Sequence, residues 1–407
     1  MAIISARPKR LYNPFVASIM FVVSPLLALP LIIRGIYERR WSANVLFCIF
    51  LGLIAYLTVP YADLYRHYND YQNAKGTSVI DFFSNLNNVI NWFVGFIYVL
   101  MASLKIPFDF FRLVQLPVCF YLLTKIFDYQ IKTSKRRYNY HEVFLRYIIL
   151  YLFFDFLFTV LGVRFGLGLC LFLYGSHLYL DKQKRSGVII YSFFAAIVHS
   201  AFAFYSIIIF ALYTLKSNRK RTIGIIIILF LLYNVLFETF SFLLGVRADW
   251  YFQGADGDYD NSFSAMTGIG SIIYIGMKLS VLPFVYVLFS TKNIISKWQR
   301  YGYSWFIITV VFITNPLMLQ RSLWGFMAMG VYLLISMEEF CQFKKRLIRL
   351  VVLCGVLFTV FNSMNTYGVF LFSRYYRIAY PLPIILSEQY EEEWMNIHII
   401  GWGNEIK

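Results

Sequence analysis

Residues 182–221 read KQKRSGVIIYSFFAAIVHSAFAFYSIIIFALYTLKSNRKR, and this stretch decides the fold. An apolar run at 188–215 joins two basic clusters and carries no Asp, Glu, Lys or Arg and one histidine, His199. About 20 apolar residues cross a bilayer as a helix, and the loops on the cytoplasmic side hold the excess of Lys and Arg. One simple crossing would therefore put one cluster on the wrong side and invert every later loop. A short helix in, a turn at His199 and a short helix back would keep both clusters on one side, with His199 at or near the opposite face. A non-helical break at that depth requires burial in protein or a water-filled cavity.

The rest of the chain has the same character. Of its 407 residues 59% are hydrophobic and 14% charged, with a mean hydropathy of +0.63. An ordinary soluble chain is about 45–50% apolar and about 25% charged, so a soluble globular protein is excluded. The reading is an all-α, polytopic integral membrane protein, one domain over 1–407 with roughly 11 to 13 transmembrane or re-entrant helices at about 20 residues per crossing. Further apolar runs lie at 14–33, 42–59, 89–104, 108–127, 143–161, 165–180, 222–243, 269–289, 302–319, 322–337 and 347–363. No internal repeat of the kind that marks many transporter halves is visible.

The 37 Lys and Arg against 21 Asp and Glu give a net charge of +16. In a soluble protein that would suggest nucleic acid. Here the basic residues gather in connections at 132–146, 182–185, 216–221, 292–300 and 344–349, where they read as topology signals, so nucleic acid is not expected as a partner. The polar stretches 61–88 and 245–268 and the tail 365–407 are poor in Lys and Arg and are the expected outer faces. For 61–88 this holds if 89–104 is re-entrant or interfacial, and fails if 89–104 crosses fully. Arg7, Lys9 and Arg10 before the first apolar run imitate a signal peptide, but the run is too long for one, and an uncleaved first helix is expected. Cys48, Cys119, Cys170, Cys341 and Cys354 show no metal-ligand spacing and read as lipid-facing or packing residues.

Against this background a few polar residues stand out. Arg164 interrupts an apolar stretch, where an arginine costs about 3 kcal/mol at a helix centre and less near an interface. By parity Arg164, Arg247, Arg321, Arg374 and Arg377 all lie near the outer face. Guanidinium forks bind phosphate bidentately, so the set suggests an anion site; interfacial snorkelling explains any one of these arginines as well, but the set less well. His199 could act as a general base or as a hydrogen-bond donor, or be a buried histidine bonded to a neighbouring helix. The segment Asp63-Leu64-Tyr65-Arg66-His67-Tyr68-Asn69-Asp70-Tyr71 packs carboxylates and rings suited to a sugar. An interfacial aromatic belt explains its tyrosines equally well, but not Asp63 and Asp70. Asp256-Gly257-Asp258-Tyr259-Asp260 resembles a calcium loop or the DXD metal triad of nucleotide-sugar enzymes. It lacks the glycine at position six and the glutamate at position twelve of the first, the second needs a cytoplasmic loop where charge places this one outside, and it reads as solvated. Gly162 and Gly166 form a GxxxG spacing that lets helices approach closely.

These residues resemble the bacterial Wzy and EpsG-like polysaccharide polymerases. Asp63-Leu64-Tyr65-Arg66-His67-Tyr68 looks like the family's Asp-x-x-Arg-Tyr-Tyr segment. Arg164-Phe165-Gly166-Leu167, running to Lys182-Gln183-Lys184-Arg185, is similar to its Arg-Gln-Gly-opened helix, with Phe165 in place of the usual Gln. Val198-His199-Ser200-Ala201 resembles a Phe-His-x-Ser-Ala element with the serine one place early, and Arg321 opens a helix as a later family arginine does.

The resemblance implies a GT-C-like fold at the outer face of the bacterial inner membrane and glycosyl transfer between two undecaprenyl-diphosphate-linked glycans. It implies no cofactor and no metal, with membrane lipid and a chain-length regulator as further partners. His199, Asp63, Arg164 and Arg321 are then the expected catalytic residues. Arg66, Tyr68, Asp70, Arg247, Arg374 and Arg377 are the expected substrate contacts. The rival readings are an O-antigen ligase, a lipid-linked oligosaccharide flippase and a structural subunit of an envelope complex.

Overall fold

The computed structural model describes residues 11–61, 63–84, 92–216, 219–232, 275–276, 278–291, 296–314, 316–341, 345–365, 367–400 and 405–406. The chain opens with α1 (Pro14–Val23), α2 (Pro25–Tyr37), α3 (Trp41–Tyr56), α4 (Asp63–Ala74), α5 (Val79–Ser84) and α6 (Trp92–Ser103). It continues with α7 (Asp109–Thr133), α8 (Tyr140–Phe153), α9 (Phe156–Leu161), α10 (Val163–Leu180), α11 (Arg185–Val198), α12 (Ala201–Thr214) and α13 (Arg219–Leu231). After the undescribed stretch come α14 (Leu282–Leu288), α15 (Lys297–Val311), α16 (Pro316–Glu338) and α17 (Lys345–Asn365). The tail holds α18 (Tyr367–Phe372), a 3-10 turn (Tyr375–Ala379), α19 (Leu382–Ser387) and α20 (Glu392–His398). Among the described residues the only sheet is a two-residue antiparallel ladder, Ile399–Ile400 with Glu405–Ile406.

Among the described residues four helical stretches are long and apolar enough to cross a membrane: Asp109–Thr133, Val163–Leu180, Met318–Glu338 and Lys345–Ser363. Several of the other apolar runs are split, for local reasons. The run at 14–33 breaks at Ser24, where extended backbone precedes Pro25 and the Ser24 hydroxyl accepts the Leu27 N–H at 3.4 Å; proline has no N–H to continue the first helix but fits the first turn of the next. The run at 143–161 breaks at Asp155, whose carboxylate accepts the Phe158 N–H at 3.2 Å and so caps α9.

The run at 188–215 breaks at His199 and doubles back. Going along α11, Gly187 meets Leu178, Tyr191 meets Gly175, and the Ala195 carbonyl meets Gly168, so α11 runs antiparallel to α10. Then α12 retraces the path: Phe202 lies 5.1 Å from the Phe165 ring, Phe210 lies 5.7 Å from Tyr179 and Tyr213 lies 5.9 Å from Tyr179. Both ends of the stretch thus return to the Leu180 end of α10, and His199 stands at the other.

Other basic connections gather at that same Leu180 end. Lys297 donates to the Leu180 carbonyl at 2.9 Å, Trp298 Nε1 donates to Asp181 at 3.0 Å, and Arg300 lies 5.3 Å from the Tyr213 ring. Arg146 and Tyr138 both reach Glu338 at the end of α16. The bundle therefore has a strongly basic end and an opposite end that holds His199.

Two of the polar stretches contain helices in their described residues. Much of 61–88 is the amphipathic α4, with Leu64, Tyr68 and Tyr71 buried at helical spacing, rather than a solvated loop. The tail folds back onto the end of α3. The Leu57 carbonyl there accepts the Arg374 N–H at 3.1 Å and the Tyr390 hydroxyl at 2.8 Å, and Arg112 donates to Thr58, so the last carbonyls of α3 are satisfied by distant groups.

Candidate active site

The site forms where α4, α6, the start of α10, the α11–α12 turn and α16 meet. On α4, three- and four-residue spacings put Asp63, Arg66, His67 and Asp70 on one face. Arg66 forms an ion pair with Asp63, and the His67 imidazole lies between the two carboxylates, 3.5 Å from Asp63 and 3.8 Å from Asp70. The two carboxylates are 39% and 54% exposed, whereas the His67 side chain is 2% exposed, so the imidazole is the buried centre of this face. Behind it stands Tyr98 of α6, its ring 5.9 Å from His67. The buried Tyr98 hydroxyl has no hydrogen-bond partner among the described residues.

Arg164 enters from the start of α10. Its position is set by Gly162, whose N–H closes α9 onto the Phe158 carbonyl at 2.7 Å. A Cβ built on Gly166 would lie 2.8 Å from the Thr159 methyl, the close approach expected of this glycine pair. The Gln115 amide of α7 bonds the Thr159 and Val163 carbonyls at 3.4 and 3.3 Å, fixing the turn from the other side. Arg164 lies within electrostatic reach of Asp63, His67, Tyr98 and His199. The same field includes Arg321, whose guanidinium lies 5.9 Å from the centre of the Phe165 ring. His199 approaches that ring from its edge at 5.6 Å. Phe165, where the resemblance leads one to expect glutamine, is thus packed near both the imidazole and the second arginine.

Charge sets the state of the α4 face. Burial pushes the Asp63 carboxyl up, but its contact with His67 and the charges of His67, Arg66 and Arg164 outweigh this and hold it below the usual carboxylate range. Burial pushes His67 below its ordinary 6.5; Asp63 pulls the other way, and the two arginines add to the depression. At neutral pH the face therefore presents an ionised carboxylate beside a neutral imidazole. His199 is held differently: its Nδ1 accepts the Ala201 N–H at 3.3 Å, so the neutral ring carries its proton on Nε2 and offers a donor.

The expected residues divide. Asp63, Arg66, Asp70, Arg164, His199 and Arg321 converge. Tyr68 is on the other side of α4, its ring 5.8 Å from Phe108. Arg374 and Arg377 share Glu388, Arg374 at 2.8 Å, and lie over Tyr390 and Tyr376 in the tail. Arg247 and Asp256-Gly257-Asp258-Tyr259-Asp260 fall outside the described residues. Among residues assigned no role from the sequence, His67 had a detectable signal, its spacing from Asp63 and Asp70. Tyr98 had none, because nothing distinguishes it from any other aromatic residue in an apolar helix.

No family model, curated protein or solved structure matches this chain.

Proposed function

We propose that the chain is a polysaccharide polymerase, a metal-independent glycosyltransferase that joins undecaprenyl-diphosphate-linked repeat units at the outer face of the bacterial inner membrane. The basic end of the bundle is then cytoplasmic, and the helices form a GT-C-like membrane domain. One observation carries the reading: His199 and Arg321 come from distant parts of the chain to Phe165, the chain neighbour of Arg164, and Arg164 lies within electrostatic reach of His199 and of the carboxylate and imidazole of Asp63 and His67.

In this reaction an acceptor sugar hydroxyl attacks the anomeric carbon of the donor glycan. The bond from that carbon to the lipid diphosphate breaks, and the diphosphate leaves with the electron pair. Arg164 and Arg321 neutralise the charge that builds on the leaving oxygens, a role in which preorganised cations act most strongly away from water. His199 donates its Nε2 hydrogen to the same diphosphate or to a sugar oxygen. The hydroxyl proton passes to the α4 face, with the part-exposed Asp63 carboxylate as the base and the buried His67 imidazole beside it as the group that orients it. Asp70 and Arg66 are at hand for the acceptor sugar. Arg374 and Arg377, already paired with Glu388, serve the fold rather than the diphosphate.

The test begins with deletion of the protein and electrophoresis of the surface polysaccharide. Single-repeat products are expected. Complete polymer left on its lipid carrier would indicate a ligase, and repeat units trapped inside a flippase. Complementation with Arg164→Lys, which keeps the charge but loses the fork, should fail to restore polymer at normal membrane abundance. Full activity of that variant would exclude the bidentate role.

A further inference from the structure

At the basic end, far from His199, α7 and its neighbours enclose a cavity of about 890 Å³. This is within the size range of small-molecule sites, about 300–1,000 Å³. Its wall carries the cations Arg39, Lys125, Lys132, Arg136, Arg137 and Lys182 against the carboxylate of Asp128. These cations arrive from four separate segments: the turn after α2, helix α7, the turn after α7 and the turn after α10.

Cytoplasmic charge in a membrane protein needs only to lie on the right side; it need not converge on a concavity. Like charges so gathered repel one another unless an anion or a carboxylate answers them. Asp128 is the one carboxylate among the described residues of the wall, where it lies in the field of Arg39, Lys125 and Lys132, and the nearby acids already have other partners. Asp128 accepts the Tyr147 hydroxyl. Asp181 binds His177 at 2.6 Å and accepts from Trp298, and Glu338 is held by Arg146. Among the described residues only Arg136 of the six has a carboxylate within ion-pair distance, Glu142 at 2.9 Å and Glu338 at 3.8 Å.

Three of the cations also lie against aromatic rings, among them Arg136 at 5.2 Å from the centre of the Tyr138 ring. The Lys125 ammonium lies 4.2 Å from the centre of the Trp41 ring and 5.1 Å from that of Tyr121, and Lys182 lies 5.0 Å from Tyr129.

We propose that this cavity binds a phosphate group, borne either on a lipid headgroup or on a soluble phosphate compound. Basic pockets between membrane helices on the cytoplasmic side take phosphorylated headgroups by this chemistry, and guanidinium and ammonium donors bind phosphate oxygens through charge-assisted hydrogen bonds. The inference is independent of the proposed glycosyl transfer.

The experiment uses the purified full-length protein in neutral detergent, following its melting temperature by mass action of the added ligand. One arm titrates sodium pyrophosphate against sodium chloride of equal ionic strength. The other titrates mixed micelles of phosphatidylglycerol against phosphatidylcholine. The triple variant Lys132→Gln, Arg137→Gln, Lys182→Gln is compared with a charge-matched control, Lys345→Gln, Arg346→Gln, Arg349→Gln, and the single variant Arg137→Gln covers the case in which the triple does not fold.

Stabilisation of the wild type and the control, with about tenfold weaker affinity in the triple variant and a smaller weakening in the single one, is expected from the loss of charged hydrogen bonds. A response to phosphatidylglycerol alone identifies a lipid headgroup, and a response to pyrophosphate alone a soluble phosphate. No stabilisation in either arm, or an equal response in pocket variants and control, overturns the proposal.

Discussion

At His199 a single hydrogen bond decides between two roles that the residue type leaves open. Because Nδ1 already accepts the Ala201 N–H, the neutral ring carries its proton on Nε2. His199→Gln keeps a donor and is expected to retain polymer synthesis within about tenfold, whereas removal of a true general base costs about 10²–10⁴-fold. A loss of that larger size in the glutamine variant, measured as polymer formed per unit of membrane protein, would return the base role to His199. His67 makes a second prediction through stability. Its folded-state pKa is depressed by burial below the ordinary 6.5, so the unfolded chain takes up the proton first as pH falls. The stability it contributes is complete above about pH 6.5 and is lost progressively below that pH, down to the depressed folded value. Asp63 titrates in the same sense, but only below its ordinary 3.8. Melting curves of the detergent-solubilised protein between pH 7 and pH 5 should fall more steeply for the wild type than for His67→Gln. Equal slopes would show that His67 is not held neutral.

Among the elements, α8 and α16 are joined by a buried ion pair whose partners are far apart in the chain. Arg146 bonds Glu338 with both its Nε, at 2.8 Å, and a terminal nitrogen, and Tyr138 adds a third bond to the same carboxylate at 3.0 Å. Removing one member of such a pair leaves the other charge buried and costs about 3–5 kcal/mol. Glu338→Gln is therefore expected to lower the melting temperature markedly and to be partly rescued by Arg146→Met, which removes the stranded charge. A double variant no more stable than the single one would show that the pair is not an isolated unit. Helix α4 carries the complementary lesson. Its low hydropathy suggested a loop, yet Leu64, Tyr68 and Tyr71 already had the spacing of a helix with one buried face. The polarity of its other face hid that pattern because that face belongs to the site.

For the molecule as a whole, the two ends should be accessible from opposite sides. Asp70→Cys, at a side chain 54% exposed, is expected to react with a membrane-impermeant maleimide in intact cells with an opened outer envelope. Lys182→Cys, at the basic end, should react only after the inner membrane is permeabilised. Labelling of both from the same side would remove the proposed orientation and, with it, an extracytoplasmic site. The helical membrane class, the clustering of basic connections at one end and the break at His199 were all legible in the amino-acid order, because hydropathy and charge act over windows of some twenty residues and leave their mark there. Which arginines share a site was not. Arg321 reaches Phe165, the chain neighbour of Arg164, while Arg374 and Arg377 meet at Glu388, and the four look alike along the chain. Only the packing of helices distant in sequence brings guanidinium, imidazole and carboxylate within reach of one another, and no local stretch of residues contains that information.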